Sequence, residues 1–237
     1  MPARFYVPKH DWATNLLSEE EAHHAIKVMR VKTGENIELF DGEGTIATAS
    51  VTSISGKSLE YTIESEKTLT VKTPSINLYQ AIPKGKNMEL IIQKAVELGV
   101  TEIIPLITKN TVAVSDSPEK KALKWQRTAL EACKQCRQAF LPKIHTPVQF
   151  TESLEFYGEL KVVGALRPNQ KPLRETFNSH APQSVSILVG PEGDFTDSEL
   201  HYAESSGFIP VTLGDLVLRV ETATLYMISA TRFFYSK

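Results

Sequence analysis

A chain of 237 residues, 41% hydrophobic and 23% charged, can fill one large domain or a small one beside a medium one. A formal net charge of −2 excludes a protein that binds polyanions through bulk positive charge, and two cysteines exclude a disulfide-built scaffold. No apolar run approaches the roughly 18 residues that a bilayer requires, and Met1-Pro2-Ala3-Arg4-Phe5 leads into no apolar signal core. The expectation is therefore a cytoplasmic protein with no membrane partner.

Residues 1–72 read as a small strand-rich unit. Ser18-Glu19-Glu20-Glu21 has the form of a capping box, and Ala22, Ile26 and Met29 follow at helical spacing until Gly34. Asn36 to Asp41 alternates like a half-buried strand, and Asp41-Gly42 supplies a tight turn. Ile46 to Ile54 and Ser58 to Glu64 continue the pattern, with Leu59, Tyr61 and Ile63 on one face.

Thr73-Pro74 marks a boundary, since the period of the pattern changes there, and residues 73–237 form the second expected domain. Apolar strands are predicted at Ile76 to Ile82, Glu102 to Ile107, Lys161 to Leu166, Val185 to Val189 and Ile209 to Leu213. Helices are predicted at Asn87 to Leu98, closed by Gly99, and at Pro118 to Ala139. Alternating strands and helices imply an α/β fold with a parallel sheet covered on both faces. From Lys120 to Lys143 seven Lys or Arg face one acid, Glu131, a stripe that suits phosphates locally or a solvated helix face. The last helix, Glu221 to Tyr235, is too apolar for one stripe: Leu225, Tyr226, Met227, Ile228, Phe233, Phe234 and Tyr235 surround it. It needs cover on two sides, either by full burial within the monomer or from a second subunit, and the second subunit is the expectation.

Three loops follow apolar strands without ordinary turn chemistry: Arg167-Pro168-Asn169, Gly190-Pro191-Glu192-Gly193-Asp194-Phe195, and Gly214-Asp215-Leu216-Val217-Leu218-Arg219. Ligands collect at the carboxyl ends of strands in open α/β sheets, so these loops are the candidate site. Gly190 and Gly193 can take positive φ and let a ligand approach the backbone, and Thr196-Asp197-Ser198-Glu199 caps the next helix. Neither the phosphate-loop nor the dinucleotide fingerprint is present. Cys133 and Cys136 form a lone C-x-x-C within a helix and read as packing residues, so no metal is expected. His23 and His24 lie about 100° apart on a helix and cannot easily share an ion.

Gly190-Pro191-Glu192-Gly193, Leu213-Gly214 with Leu218-Arg219-x-Glu221-Thr222-Ala223, and Gln93-Lys94-Ala95-x-Glu97-Leu98-Gly99-Val100 together resemble the RsmE family. Arg4-Phe5-Tyr6-Val7 and His23-His24-x-x-x-Val28-Met29-Arg30 resemble that family's PUA-like RNA-binding domain, and Glu131-Ala132-x-x-Gln135 with Arg137 resembles a further stretch. The resemblance implies a SPOUT methyltransferase domain with a deep C-terminal trefoil knot, preceded by a small PUA-like β-barrel. It implies S-adenosylmethionine as cofactor, a homodimer, and methylation of N3 of a decoding-region uridine in 16S ribosomal RNA. Two alternatives stay open: a related SPOUT enzyme acting on ribose or transfer RNA, or a non-catalytic ribosome-assembly factor.

By the same resemblance Leu166, Leu213, Gly214 and Leu218 would wall the adenine, while Gly190, Glu192 and Gly193 would close over the ribose and methionine. Glu192 could face the sulfonium or accept backbone N–H groups. Arg219 would stabilise the uracil anion, or pair with Glu221. Arg4, His23, His24, Arg30 and Arg137 would meet RNA. Three positions depart from the family pattern: Asp194 stands where glycine is common, Leu216 where arginine is usual, and Lys109-Asn110 in place of Arg-Ser. The last two soften the expected grip on RNA.

Overall fold

A computed structural model describes residues 1–112, 117–151, 157–167 and 170–235. They form two compact units, one of Met1–Val71 with Cys133–Leu141, the other of Lys72–Ala132 with Pro142–Lys237. Segment 133–141, whose residues 133–139 are read from sequence as the end of a long helix in the second domain, thus goes with the N-terminal unit.

The first unit is built on β1 (Ala3–Tyr6), α1 (Glu19–His23), β2 (Asn36–Phe40), β3 (Thr45–Ser55) and β4 (Ser58–Thr68). The strands form one sheet in the order β1-β2-β3-β4, parallel between β1 and β2 and antiparallel elsewhere. The resemblance implies a barrel; the pairing among the described residues is this four-stranded sheet, with β1 and β4 at its ends. Strand alternation buries Ile37, Leu39, Leu59 and Tyr61 against Phe5, Trp12 and Ala22.

The expected capping box forms only by half. Ser18 Oγ accepts the Glu21 N–H at 3.3 Å, but the buried Glu21 carboxylate pairs with Lys134. After His23 the helix widens into a π-helical turn, His24–Val28, and the chain leaves it through Arg30 at φ +56°, well before Gly34. The turn at Asp41 is longer than two residues, because Asp41 Oδ1 accepts the N–H groups of Glu43 (2.7 Å) and Thr45 (2.9 Å).

The second unit runs β5 (Ser75–Ala81), α2 (Asn87–Glu97), β6 (Glu102–Ile107), α3 (Pro118–Cys136), β7 (Lys143–Ile144), β8 (Val148–Gln149), β9 (Leu160–Gly164), β10 (Lys171–Pro172), α4 (Leu173–Asn178), β11 (Ser184–Val189), α5 (Asp197–Ser205), β12 (Ile209–Thr212) and α6 (Val220–Tyr235). All its strands pair in parallel, in the order β10-β12-β9-β11-β5-β6-β7, with β8 also on β6. Near-continuous burial along β5 and β11 explains why these segments read as unbroken apolar runs. Helix α3 stops at Cys136 rather than Ala139, because Arg137 takes φ +62°.

Helix α6 lays Val220, Thr224, Met227, Ile228 and Thr231 into the unit and leaves Tyr226, Phe233 and Phe234 exposed. Its amino end is tied to β5: Thr224 Oγ1 donates to Gln80 Oε1 at 2.6 Å, and both residues are fully buried. Its other end is tied by Arg232, which donates to the carbonyls of Pro74 (2.6 Å), Leu98 (3.3 Å) and Gly99, closing the carboxyl end of α2. Burial pushes the Arg232 guanidinium pKa down, and the three carbonyls keep it supplied with acceptors.

Candidate active site

Because the sheet is parallel, the carboxyl ends of β9, β11 and β12 share one edge, and their following loops meet there. Between them lies a cavity of about 460 Å³, within the usual range for a small-molecule site. Leu166, Gly190, Glu192, Leu213, Gly214, Leu218 and Arg219 all line it. Gly193 does not; Asp194 does. Of the first expected loop, Arg167 is held by Asp197 (2.8 Å) and Glu204 (3.3 Å), while Pro168 and Asn169 lie outside the described residues.

The glycines act differently from expectation. Neither Gly190 nor Gly193 has a positive φ. Gly190 is favoured by close contact instead: a Cβ there would stand 3.1 Å from the Phe195 ring, itself packed on Phe150 at 5.3 Å between centroids. The left-handed positions are Gly214, at φ +120°, and Asp194, at φ +56°. A left-handed backbone favours glycine; aspartate tolerates it at position 194 through a local hydrogen bond, here from the Phe195 N–H to Oδ1 at 2.7 Å.

The loop after β11 is gripped from two sides. Glu192 Oε1 accepts the Lys84 backbone N–H at 2.9 Å, so the backbone-holding alternative for Glu192 is the one the geometry displays. Asn110 Nδ2 donates to the carbonyls of Gly193 (3.0 Å) and Asp194 (2.9 Å). Asn110 therefore faces this loop. The expected capping box of α5 is complete, and its Glu199 also accepts the Lys109 N–H at 2.8 Å, tying β6 to α5.

The cavity walls are mainly apolar, with Leu166, Leu216 and Val217 exposed at the mouth and Ala165, Val189 and Leu213 within. Glu192, Asp194 and Glu221 bring carboxylates and Arg219 one guanidinium. The amino end of α6 brings its dipole to the cavity, with Val220, Glu221 and Ala223 in the lining. Arg219 is exposed, its carbonyl accepts the Ala223 N–H at 2.8 Å, and among the described residues no ion pair ties it to Glu221. A flat apolar group with a cationic neighbour suits such a lining.

The five candidate RNA contacts divide sharply. Arg4 has only 4% of its side chain exposed; it pairs with Glu38 (3.3 Å), donates to the Gln138 carbonyl (3.1 Å) and covers the Phe40 ring. Burial pushes its pKa down, so this guanidinium is spent inside the unit. Arg137 pairs with the same Glu38 at 2.7 Å. His24 packs edge-on against Phe5. His23 and Arg30 stand exposed. The basic stripe is engaged in part: besides Arg137, Lys124 meets Glu89 and Lys134 meets Glu21.

Cys133 is buried, its thiol pushed up to about 12 by burial, and among the described residues no three His, Cys, Asp or Glu gather to hold a metal. Sequence reasoning did not single out Gln80, Lys84 and Thr224. It read Asn110 only as softening the grip on RNA, whereas its amide holds the Gly193 and Asp194 carbonyls.

Residues 71–232 match the sequence profile of an RNA methyltransferase domain, and residues 17–64 that of an RNA methyltransferase PUA domain. The Ribosomal RNA small subunit methyltransferase E of Mesomycoplasma hyopneumoniae is 31% identical over 227 residues, covering 95% of this chain and 97% of its own. Its namesake from Synechocystis is 30% identical over 217 residues, covering 89% of this chain and 70% of its own. The crystal structure of Ribosomal RNA small subunit methyltransferase E from Neisseria gonorrhoeae, bound to S-adenosyl methionine, aligns with a TM-score of 0.88 at 31% identity over 99% of this chain and 98% of that one.

Proposed function

The chain belongs to the ribosomal RNA small subunit methyltransferase E family, and from that membership we propose that it methylates N3 of one uridine in 16S ribosomal RNA, using S-adenosylmethionine. What carries the reading is the convergence of three post-strand loops and the amino end of α6 on one mainly apolar cavity that also holds three carboxylates. Leu166, Leu213, Gly214 and Leu218 would wall the adenine. Gly190, Glu192 and Gly193 would shape the loop over the ribose and methionine portions. When bound, the cofactor supplies a methyl group activated by its positive sulfur.

Methyl transfer is an in-line displacement, and correct orientation alone can lower such a barrier by about 7–11 kcal/mol. The chain's task is thus to exclude water and hold the uracil edge toward the cavity. Uridine N3 must lose its proton to attack. Arg219, unpaired among the described residues at the cavity rim, would stabilise the resulting charge on the uracil oxygens. Water at the open mouth would carry the proton away.

The remaining expectations join this proposal. The second unit would carry the trefoil knot, residues 1–72 would serve as the PUA-like RNA-binding domain with His23 and Arg30 toward RNA, and the enzyme would act in the cytoplasm as a homodimer. Purified protein incubated with methyl-labelled S-adenosylmethionine and either naked 16S RNA or small subunits, followed by nucleoside mass spectrometry, tests the activity. The expected product is 3-methyluridine. Label on ribose or another base moves the chain to a different SPOUT activity, and no label with either substrate overturns the enzymatic reading.

A further inference from the structure

One side chain outside the cavity governs the backbone of a residue inside it. Asp194 lines the cavity in the left-handed conformation, φ +56°, which L-residues with a side chain enter against a steric penalty. Its carbonyl and that of Gly193 turn toward the same donor, Asn110 Nδ2, at 2.9 and 3.0 Å. A Cβ on Gly193 would stand 3.2 Å from Asn110 Cβ, so the two segments are in close packing contact.

Asn110 is itself presented on a turn that is already built. Thr108 N–H donates to Thr111 Oγ1 at 2.9 Å, Thr111 N–H returns to the Thr108 carbonyl at 3.1 Å, and Lys109 N–H is held by Glu199. The amide thus arrives with little freedom left to lose, which is when a side-chain hydrogen bond stabilises most. Asn110 does not line the cavity; Asp194 does. Any influence of Asn110 on a bound molecule therefore passes through the loop it holds.

We propose that Asn110 is a positioning residue for the cofactor loop, holding Asp194 in its left-handed conformation, so that Asn110 and Asp194 work as one unit. The Asn110 amide and the carbonyls of Gly193 and Asp194 are in direct contact. A glycine at 194 would adopt the conformation freely and would need no such clamp. The inference rests on reading the cavity as the S-adenosylmethionine site.

The test is a double-mutant cycle on the full-length protein: wild type, Asn110→Ala, Asp194→Gly and the double variant. Calorimetric affinity for S-adenosylmethionine is read together with hydrogen exchange at the residue 194 amide, which donates to the Pro191 carbonyl at 2.9 Å. In the wild-type background Asn110→Ala weakens binding about tenfold, the equivalent of about 1.4 kcal/mol, and speeds exchange at 194. In the Asp194→Gly background the same change weakens binding by less than about threefold and leaves exchange nearly unaltered. Equal losses in both backgrounds, or no loss in either, overturn the proposal. If the wild type itself binds no S-adenosylmethionine, the functional reading fails; the exchange arm still decides the clamp, which falls if Asn110→Ala leaves residue 194 as protected as before.

Discussion

Glu192 Oε1 accepts the backbone N–H of Lys84 at 2.9 Å, joining the loop after β11 to the loop after β5 across 108 residues of chain. An oxygen engaged this way needs no negative charge. Asn, Gln and carboxylate oxygens all accept, so Glu192→Gln can keep the latch while Glu192→Ala removes it. The expected outcome is cofactor affinity within about threefold of wild type for Glu192→Gln and at least about tenfold weaker for Glu192→Ala, since one hydrogen bond to a charged acceptor is worth about 1.5–3 kcal/mol. Calorimetry decides. Equal losses in the two variants would show that the charge itself faces the cationic ligand.

The fully buried pair of Thr224 and Gln80 sits behind the amino end of α6, which lines the cavity. Thr224→Val keeps the shape of the side chain and removes the donor, leaving Gln80 Oε1 without its partner. Such an orphaned buried acceptor costs about 1–3 kcal/mol. Urea unfolding should show that loss at unchanged m-value. A variant as stable as wild type would mean that Gln80 finds another donor when the threonine is gone.

The parts of this fold that sequence reasoning could reach are those whose cause is local. Strand β6 was legible to the residue, Glu102–Ile107, because an apolar run lies between Gly99 and Lys109. The α5 cap was legible because Thr196 and Glu199 meet within one turn. The illegible parts depend on partners far away. Strands β7, β8 and β10 are two residues each, and only their distant neighbours make them strands. Arg4 reads as a surface cation until Gln138, 134 residues on, and Glu38 are brought to it. The site followed the same division: the three loops were visible as unusual strand exits, whereas Lys84 and Asn110, which fix the middle one, come from the segments after β5 and β6.

That contrast between Arg4 and Arg30 is open to measurement. Removing one member of a buried ion pair typically costs about 3–5 kcal/mol, and Arg4 also covers an aromatic ring. Arg4→Ala should therefore lower stability by about 3 kcal/mol, tempered because Glu38 keeps Arg137. Arg30→Ala, at an exposed position, should leave unfolding within about 0.5 kcal/mol of wild type and weaken RNA binding with a shallower salt dependence. Denaturant titration and filter binding at two salt concentrations separate the roles. If Arg4→Ala unfolds like wild type, its buried assignment is wrong.

The exposed face of α6 offers Tyr226 at 49% and Phe233 at 89% accessibility, an apolar surface that a second copy would cover. Phe233→Asp would place a charge in that contact. Light scattering should then report a dimer for the wild type and a monomer for the variant at the same micromolar concentration. A monomeric wild type would remove the homodimer from the proposal.

In the proposed reaction Arg219 would carry the chemical step. It stands exposed at the cavity rim, just before α6, and among the described residues it forms no ion pair. A group that meets the substrate only as charge develops should affect turnover more than cofactor binding. Arg219→Ala is expected to lower kcat by about 10²–10³, in line with loss of one group stabilising a developing anion, while cofactor affinity changes less than about threefold. Arg219→Lys keeps the charge but not the planar fork, and should recover only part of the rate. Single-turnover methylation with saturating S-adenosylmethionine makes the measurement. If the alanine variant instead loses cofactor binding and keeps its rate at saturation, Arg219 belongs to the cofactor site and the uracil anion is stabilised by another group.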